Sequence, residues 1–251
     1  MPRYFLRVSY MGGRYSGFQV QGNAATVQGE VERALETLFR RPVTCTGSSR
    51  TDAGVHAMCN YLHFDLPMEA ASDAAYRLNA ILPSDVAVHS LTRVHDDAHC
   101  RFDAVSRRYR YSLHVRKDPF LDDRSWYFPY PLDRALLDAA AAHLLTVDSF
   151  GSFAKRHGQQ RSDRCVLSES FWQDAEGGLA YHVRGNRFLR GMVRGLVGTM
   201  LSAARGRMGM EGFVDAVSSG DNARADFSPP GRGLLLMDVA FPAGYFDVGG
   251  R

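Results

Sequence analysis

Lysine is all but missing from this chain: Lys117 and Lys155 are the only two among 30 basic residues, so arginine supplies the other 28. Arginine presents a planar fork of donors that suits bidentate phosphate contact and stacking on bases. RNA is therefore a candidate partner, although GC-rich coding writes the same bias and a net charge of +3 is too small to decide the matter. Cysteine is sparse too. Cys45, Cys59, Cys100 and Cys165 stand far apart with no C-x-x-C pair, which argues against a zinc ribbon or a disulfide framework and makes reduced, cytoplasmic thiols the expectation. No stretch approaches the roughly 20 consecutive apolar residues of a membrane helix. The first apolar segment, Tyr4-Phe5-Leu6, is bracketed by Arg3 and Arg7, so neither membrane insertion nor secretion is expected. His89, His95, His99 and Cys100 could suggest a ligand set, but His89 and His95 lie in a strand-like segment without helical i, i+4 spacing, so no metal site is expected.

What is present is an ordinary globular composition, 45% hydrophobic and 23% charged over 251 residues, enough for one large or two small domains. Residues 3–10 alternate as a strand. Thr26 caps a helix whose apolar positions Val27, Val31, Ala34, Leu35, Leu38 and Phe39 keep the helical period until Pro42 stops it. Strands are predicted at 43–48 and 58–66, a helix at 73–82 and a strand at 85–95. The second half repeats the order: a strand at 107–115, a helix at 133–145, strands at 164–173 and 179–184, a long helix at 187–206 and a strand at 233–240. The expected class is α+β, with two ferredoxin-like (β-α-β-β-α-β) subdomains, 1–100 and 101–251, whose antiparallel sheets leave a central cleft where polar loops can converge on a ligand.

Chemistry concentrates in residues 47–57, Gly-Ser-Ser-Arg-Thr-Asp-Ala-Gly-Val-His-Ala. Asp52 follows Arg50 by two residues and precedes Gly54 by two, so a carboxylate sits beside a cation in a segment able to turn sharply. In Ser106-Arg107-Arg108-Tyr109-Arg110-Tyr111-Ser112 the two-residue period sends Arg107, Tyr109 and Tyr111 to one face and Arg108 and Arg110 to the other. Such a strand offers rings for stacking and cations for phosphate, or equally a half-buried aromatic core. On the predicted helix after Asn186, Arg187, Arg190, Arg194 and Arg205 form one stripe, with Gly191, Gly195 and Gly198 beside it. Small residues there let a phosphate backbone or another protein element come close. Two polar loops, Gly12 to Gln21 with Arg14, and Lys155 to Arg161 with Arg156, suit flexible nucleic-acid contact or plain connection.

The run Arg50-Thr51-Asp52-Ala53-Gly54-Val55-His56-Ala57 resembles the catalytic loop of the tRNA pseudouridine synthase A (TruA) family. The resemblance implies that Asp52 is the catalytic residue. His99-Cys100-Arg101-Phe102 with Arg107-Arg108-Tyr109-Arg110-Tyr111 resembles a second family motif, which implies that Tyr109 packs on the target base and that Arg101 and Arg107 meet RNA. Phe188-Leu189 with Met192-Val193-Arg194 and Val197-Gly198 resembles a third, which implies that Arg194 pairs with the catalytic aspartate. The likeness runs from about residue 4 to Leu234 and departs from the family at Phe18, where tryptophan is usual, and at Ser48-Ser49, where Ala-Gly is common. It implies isomerisation of uridine to pseudouridine at tRNA nucleotides 38 to 40, with no redox cofactor or ATP, by a homodimer. Arg50 and Arg194 are expected at the substrate, and Arg14, Lys155, Arg156, Arg187 and Arg190 on RNA. The alternative is a non-catalytic RNA-binding module, which explains the aromatics and arginines but gives Asp52 no task.

Overall fold

In the first strand, β1 (Arg3–Tyr10), Tyr4, Leu6, Val8 and Tyr10 are buried, as is Phe5 on the opposite face, while Arg7 is exposed. A strand covered on both sides belongs inside a sheet. In this computed structural model, which describes residues 1–154 and 162–247, β1 lies between β3 (His56–Asp65) and β4 (Val86–Val94), antiparallel to both. Between β1 and β3 runs α1 (Val27–Phe39), where the Thr26 hydroxyl accepts from the Gly29 amide at 3.2 Å and Val27, Val31, Ala34 and Leu35 are buried. The expected strand at 43–48 shrinks to β2 (Thr46–Gly47), which pairs with β3. Its missing part has a physical reason: the Cys45 amide donates to Glu32 Oε1 at 2.8 Å and the Cys45 carbonyl accepts from Gln28 Nε2 at 2.9 Å. Side chains of α1 thus take the backbone groups that a ladder would need. Helix α2 (Ala74–Ile81) joins β3 to β4, the strands run β4-β1-β3, and the short β2 pairs with β3 off that path.

The chain divides into two compact units. One is Met1–Val105 together with the segment from Leu236 onward, and the other is Ser106–Leu235. The late segment joins the first unit because its rings cover the far face of β1: Phe5 lies 5.5 Å from Phe241, 5.8 Å from Tyr245 and 6.1 Å from Phe246. A cut at residue 100 with everything afterwards in the second half therefore misses both the 101–105 stretch and this aromatic return.

In the second unit β5 (Ser106–His114), β8 (Gly178–Gly185) and β7 (Leu167–Ala175) pair antiparallel in the order β5-β8-β7, and the two-residue β6 (Trp126–Tyr127) runs parallel to β5. Tyr111 and Tyr181, directly opposite each other, are fully buried. Helices α3 (Arg134–His143), α4 (Met192–Ala204) and α5 (Gly209–Ser218) pack together, and β9 (Leu234–Ala240) carries the chain back to the first unit.

Two expectations change here. The predicted helix at 187–206 begins only at Met192, because Gly191 holds the left-handed conformation (φ 74°) and breaks the run. Arg187 and Arg190 thus precede the helix, Arg205 is its C-cap, and the four-arginine stripe does not exist. Helix α5 was not expected, since Gly209 and Gly212 weaken its intrinsic preference; burial of Phe213, Ala216 and Val217 against α3 and α4 overrides that. Among the described residues no helix is long and apolar enough to cross a membrane.

Candidate active site

The loop before β3 is built from buried polar contacts. Thr51, 8% exposed, shares a 2.8 Å hydroxyl contact with Tyr10 at the end of β1, and its carbonyl accepts from the Phe18 amide at 3.0 Å. Asn60, wholly buried on β3, donates to the Tyr10 hydroxyl at 3.1 Å and to the Ser49 carbonyl at 2.9 Å, and accepts from the Ser48 hydroxyl at 2.7 Å. The Ser48 hydroxyl, which the usual family alanine lacks, is thus absorbed into this network. Asp52 follows, half-buried, and its carbonyl accepts from Val55 at 3.2 Å to close a turn that places Gly54 at φ 76°. Only a residue without Cβ holds that conformation cheaply, so the Gly54 of the motif is explained locally.

A second layer supports the turn. The Gly12 amide donates to His56 Nδ1 at 3.0 Å, and the Gly54 amide donates to the Tyr15 carbonyl at 3.4 Å. A Cβ on Gly12 would lie 2.0 Å from the Val55 carbonyl oxygen, so this residue is a contact surface rather than a hinge. The stretch from Gly12 to Gln21, open to flexible nucleic-acid contact or plain connection, is partly core: Tyr15 and Phe18 are buried, and the Tyr15 hydroxyl donates to Asp85 Oδ1 at 2.7 Å. Burial and the Asp85 hydrogen bond both push the Tyr15 phenol upward in pKa. Arg14 remains mostly exposed, with a guanidinium nitrogen 3.3 Å from Asp85 Oδ2. Arg50 is exposed. Arg101 is exposed and lies 5.7 Å from the Phe102 ring centre.

In the second unit Tyr109, half-buried on β5, meets Phe188 edge-on with ring centres 5.1 Å apart. Arg194, in the first turn of α4, donates to the Pro229 carbonyl at 2.6 Å and the Phe227 carbonyl at 3.3 Å. The neighbouring glycines admit that segment: a Cβ on Gly198 would sit 2.1 Å from the Asp226 carbonyl oxygen, and one on Gly195 would sit 2.8 Å from the Phe227 ring. Of the two partners open to the small residues, the protein element is the one found here. Tyr111, also open to a stacking role from its pattern, is wholly buried and donates to the Pro230 carbonyl at 2.9 Å. Burial raises its phenol pKa against the opposing charges of Arg194 and Arg232.

Arg107 is 8% exposed and donates to the Asn186 carbonyl at 3.0 Å, on the same face of β5 as Tyr109 and Tyr111. Arg108 and Arg184 flank Glu169 at 3.2 and 2.9 Å. Arg187 is half-buried near Cys165, where its charge opposes the burial that pushes that thiol up to about 11, and Arg190 is exposed. Lys155 and Arg156 lie outside the described residues. Asp52, Arg50, Arg14 and Arg101 therefore belong to the first unit, and Tyr109, Arg107, Arg187, Arg190 and Arg194 to the second. Among the described residues no cluster of His, Cys, Asp or Glu gathers as a cation-binding set. Sequence reading missed Tyr10, Asn60 and Asp85, whose partners lie 11 to 70 residues away.

The family model described as tRNA pseudouridine synthase matches residues 7–103 and 140–242 of the chain. Among curated proteins, the tRNA pseudouridine synthase A of Parabacteroides distasonis is 39% identical over 99% of each chain. That of Porphyromonas gingivalis is 39% identical over 98% of this chain and 100% of its own. That of Bacteroides thetaiotaomicron is 38% identical over 98% of this chain and 93% of its own.

Proposed function

This chain belongs to the tRNA pseudouridine synthase family, and from that premise we propose that it isomerises uridine to pseudouridine in tRNA, at nucleotides 38 to 40 of the anticodon arm. The observation that carries the assignment to Asp52 is the rigidly anchored turn just described, which fixes the backbone on both sides of a half-buried carboxylate without enclosing it. Pre-organisation of this kind is what a reacting group needs.

The reaction breaks the bond between ribose C1′ and uracil N1, turns the base while it is held, and joins C1′ to C5. The C5 proton leaves and N1 gains one, so atoms balance with no electron transfer and no donated group. Neither a redox cofactor nor ATP is called for. Asp52 either attacks C1′ as a nucleophile or removes a proton from the sugar. The target nucleotide is extruded from its stack at a cost of a few kcal/mol. Stacking on Tyr109, worth about 1 to 3 kcal/mol, together with arginine to phosphate contacts, offsets that cost. Arg194 serves Asp52 in this reading, and Arg50, exposed two residues before it, grips phosphate with Arg14, Arg101, Arg187 and Arg190.

The reading extends to two ferredoxin-like subdomains, supported in the first unit by the β4-β1-β3 order with β2 paired to β3, to a homodimer and to action in the cytoplasm. Tritium release from tRNA carrying 5-tritiated uridine tests the chemistry. Asp52→Asn is expected to abolish release while tRNA binding persists; turnover at the wild-type rate in that variant refutes the assignment.

A further inference from the structure

At the C-terminal end of α4 the second unit carries a recess of about 140 Å³ whose lining includes Trp126, Phe128, Tyr130, Arg205, Arg207 and Asp226. The guanidinium of Arg205 lies 3.8 Å from the Tyr130 ring centre and 5.7 Å from that of Phe128. The aromatic wall is itself fixed, because Trp126 meets Phe128 edge-on at 4.7 Å and Phe128 meets Tyr130 at 5.1 Å. Among the described residues neither Arg205 nor the exposed Arg207 has an ion-pair partner or a hydrogen-bond acceptor for its guanidinium. Stacking holds the Arg205 plane in place and leaves its N–H edges, which lie in that plane, without an acceptor. Asp226 does not fill that need: its Oδ1 accepts the Ser228 amide at 2.8 Å and its Oδ2 meets the Ser202 hydroxyl at 3.5 Å.

We propose that this recess is a phosphodiester site for tRNA, distinct from the Asp52 turn, in which Arg205 and Arg207 grip backbone phosphate and the indole edge of Trp126 faces the adjoining ribose or base. Its chemistry matches that ligand: two cations for an anion, one of them pre-oriented on an aromatic platform, beside apolar ring surface. Arg205 follows Arg194 by eleven residues on the same helix, about 16 Å along the axis, so the phosphate held here lies a few nucleotides from whatever meets Arg194. The recess wall and the Arg194 anchor also share one segment, since Asp226 and Ser228 flank Phe227, whose carbonyl accepts from Arg194.

The inference rests on tRNA being the substrate, and its test separates the two. tRNA affinity of the full chain is measured by fluorescence anisotropy across a salt series for wild type, Arg205→Gln, Arg207→Gln and the double variant, with melting temperature and wild-type pseudouridine formation measured alongside. Each released phosphate contact lowers the slope of log K against log salt by about 0.7 to 0.9, so the double variant is expected to lose about 1.5 from that slope and to bind about tenfold more weakly at physiological salt. Tyr130→Leu, which removes the platform but keeps both charges, is expected to weaken binding severalfold with little change in slope. An unchanged slope and affinity in a double variant that melts like wild type overturns the phosphodiester site. Absence of pseudouridine formation by the wild type refutes the catalytic reading and leaves the binding result standing.

Discussion

Replacing Thr51 by valine removes one hydroxyl and keeps the shape of the side chain, which isolates the contact between the Asp52 turn and β1. The contact is a 2.8 Å hydroxyl pair with Tyr10 in a buried setting. Tyr10 keeps its bond to Asn60 Nδ2 at 3.1 Å, so the loss is that of a single neutral hydrogen bond, about 1 kcal/mol of stability. The effect on rate is larger than the effect on stability. Thr51 adjoins Asp52, and a misplacement of about 1 Å at a reacting group costs as much as 100-fold. Thr51→Val is therefore expected to lower kcat for tritium release by about 10- to 100-fold with KM for tRNA nearly unchanged, and Thr51→Ser is expected to restore most of it. Tyr10→Phe removes the same contact from the other side together with the acceptor of the Asn60 amide, so the double variant is expected to be little worse than Tyr10→Phe alone. Wild-type kcat in Thr51→Val, or strict additivity of the two changes, refutes the claim that this contact positions the aspartate.

Gly198→Ala brings a Cβ to 2.1 Å from the Asp226 carbonyl oxygen, a backbone collision expected to cost about 1 to 3 kcal/mol and to lower the melting temperature by roughly 3 to 10 °C. It also moves the carbonyls that hold Arg194, so activity falls with stability. Arg107→Leu, at a residue 8% exposed and bonded to the Asn186 carbonyl, is expected to lower the melting temperature while leaving the salt slope of tRNA binding unchanged; a loss of about 0.7 or more in that slope puts Arg107 on RNA after all. His63 predicts a pH dependence. Burial, then the neighbouring His99 and Arg3, push its imidazole down to about 4, against the opposing pull of Asp65 and Asp103, while an unfolded chain titrates near 6.5. The unfolded state takes up the proton first, so this contribution is fully present above about pH 6.5 and is lost as pH falls toward 4, by about 3 kcal/mol at the limit. Urea unfolding at pH 7 and pH 4.5 is expected to show that loss, and His63→Gln is expected to shrink it.

The alternation of β1, the Thr26 cap and apolar period of α1, and the Asp-Ala-Gly turn before β3 were all legible from residues a few positions apart, because strand and helix periods and capping are local physics. The polar partners were not. Tyr10 finds Thr51 across 41 residues and Asn60 across 50, a pairing that exists only once β1 and β3 are side by side. The same holds for the arginines. The spacing of Arg187, Arg190, Arg194 and Arg205 read as one helical stripe, yet Gly191 starts α4 late, and Arg194 meets the carbonyls of Phe227 and Pro229, more than thirty residues away. Sequence by itself determined most of the elements and a tight turn carrying one carboxylate, since both depend on near neighbours. Tertiary structure alone decided which cations face solvent and which hydroxyls brace that turn, since a buried donor must find its acceptor wherever the folded chain supplies one.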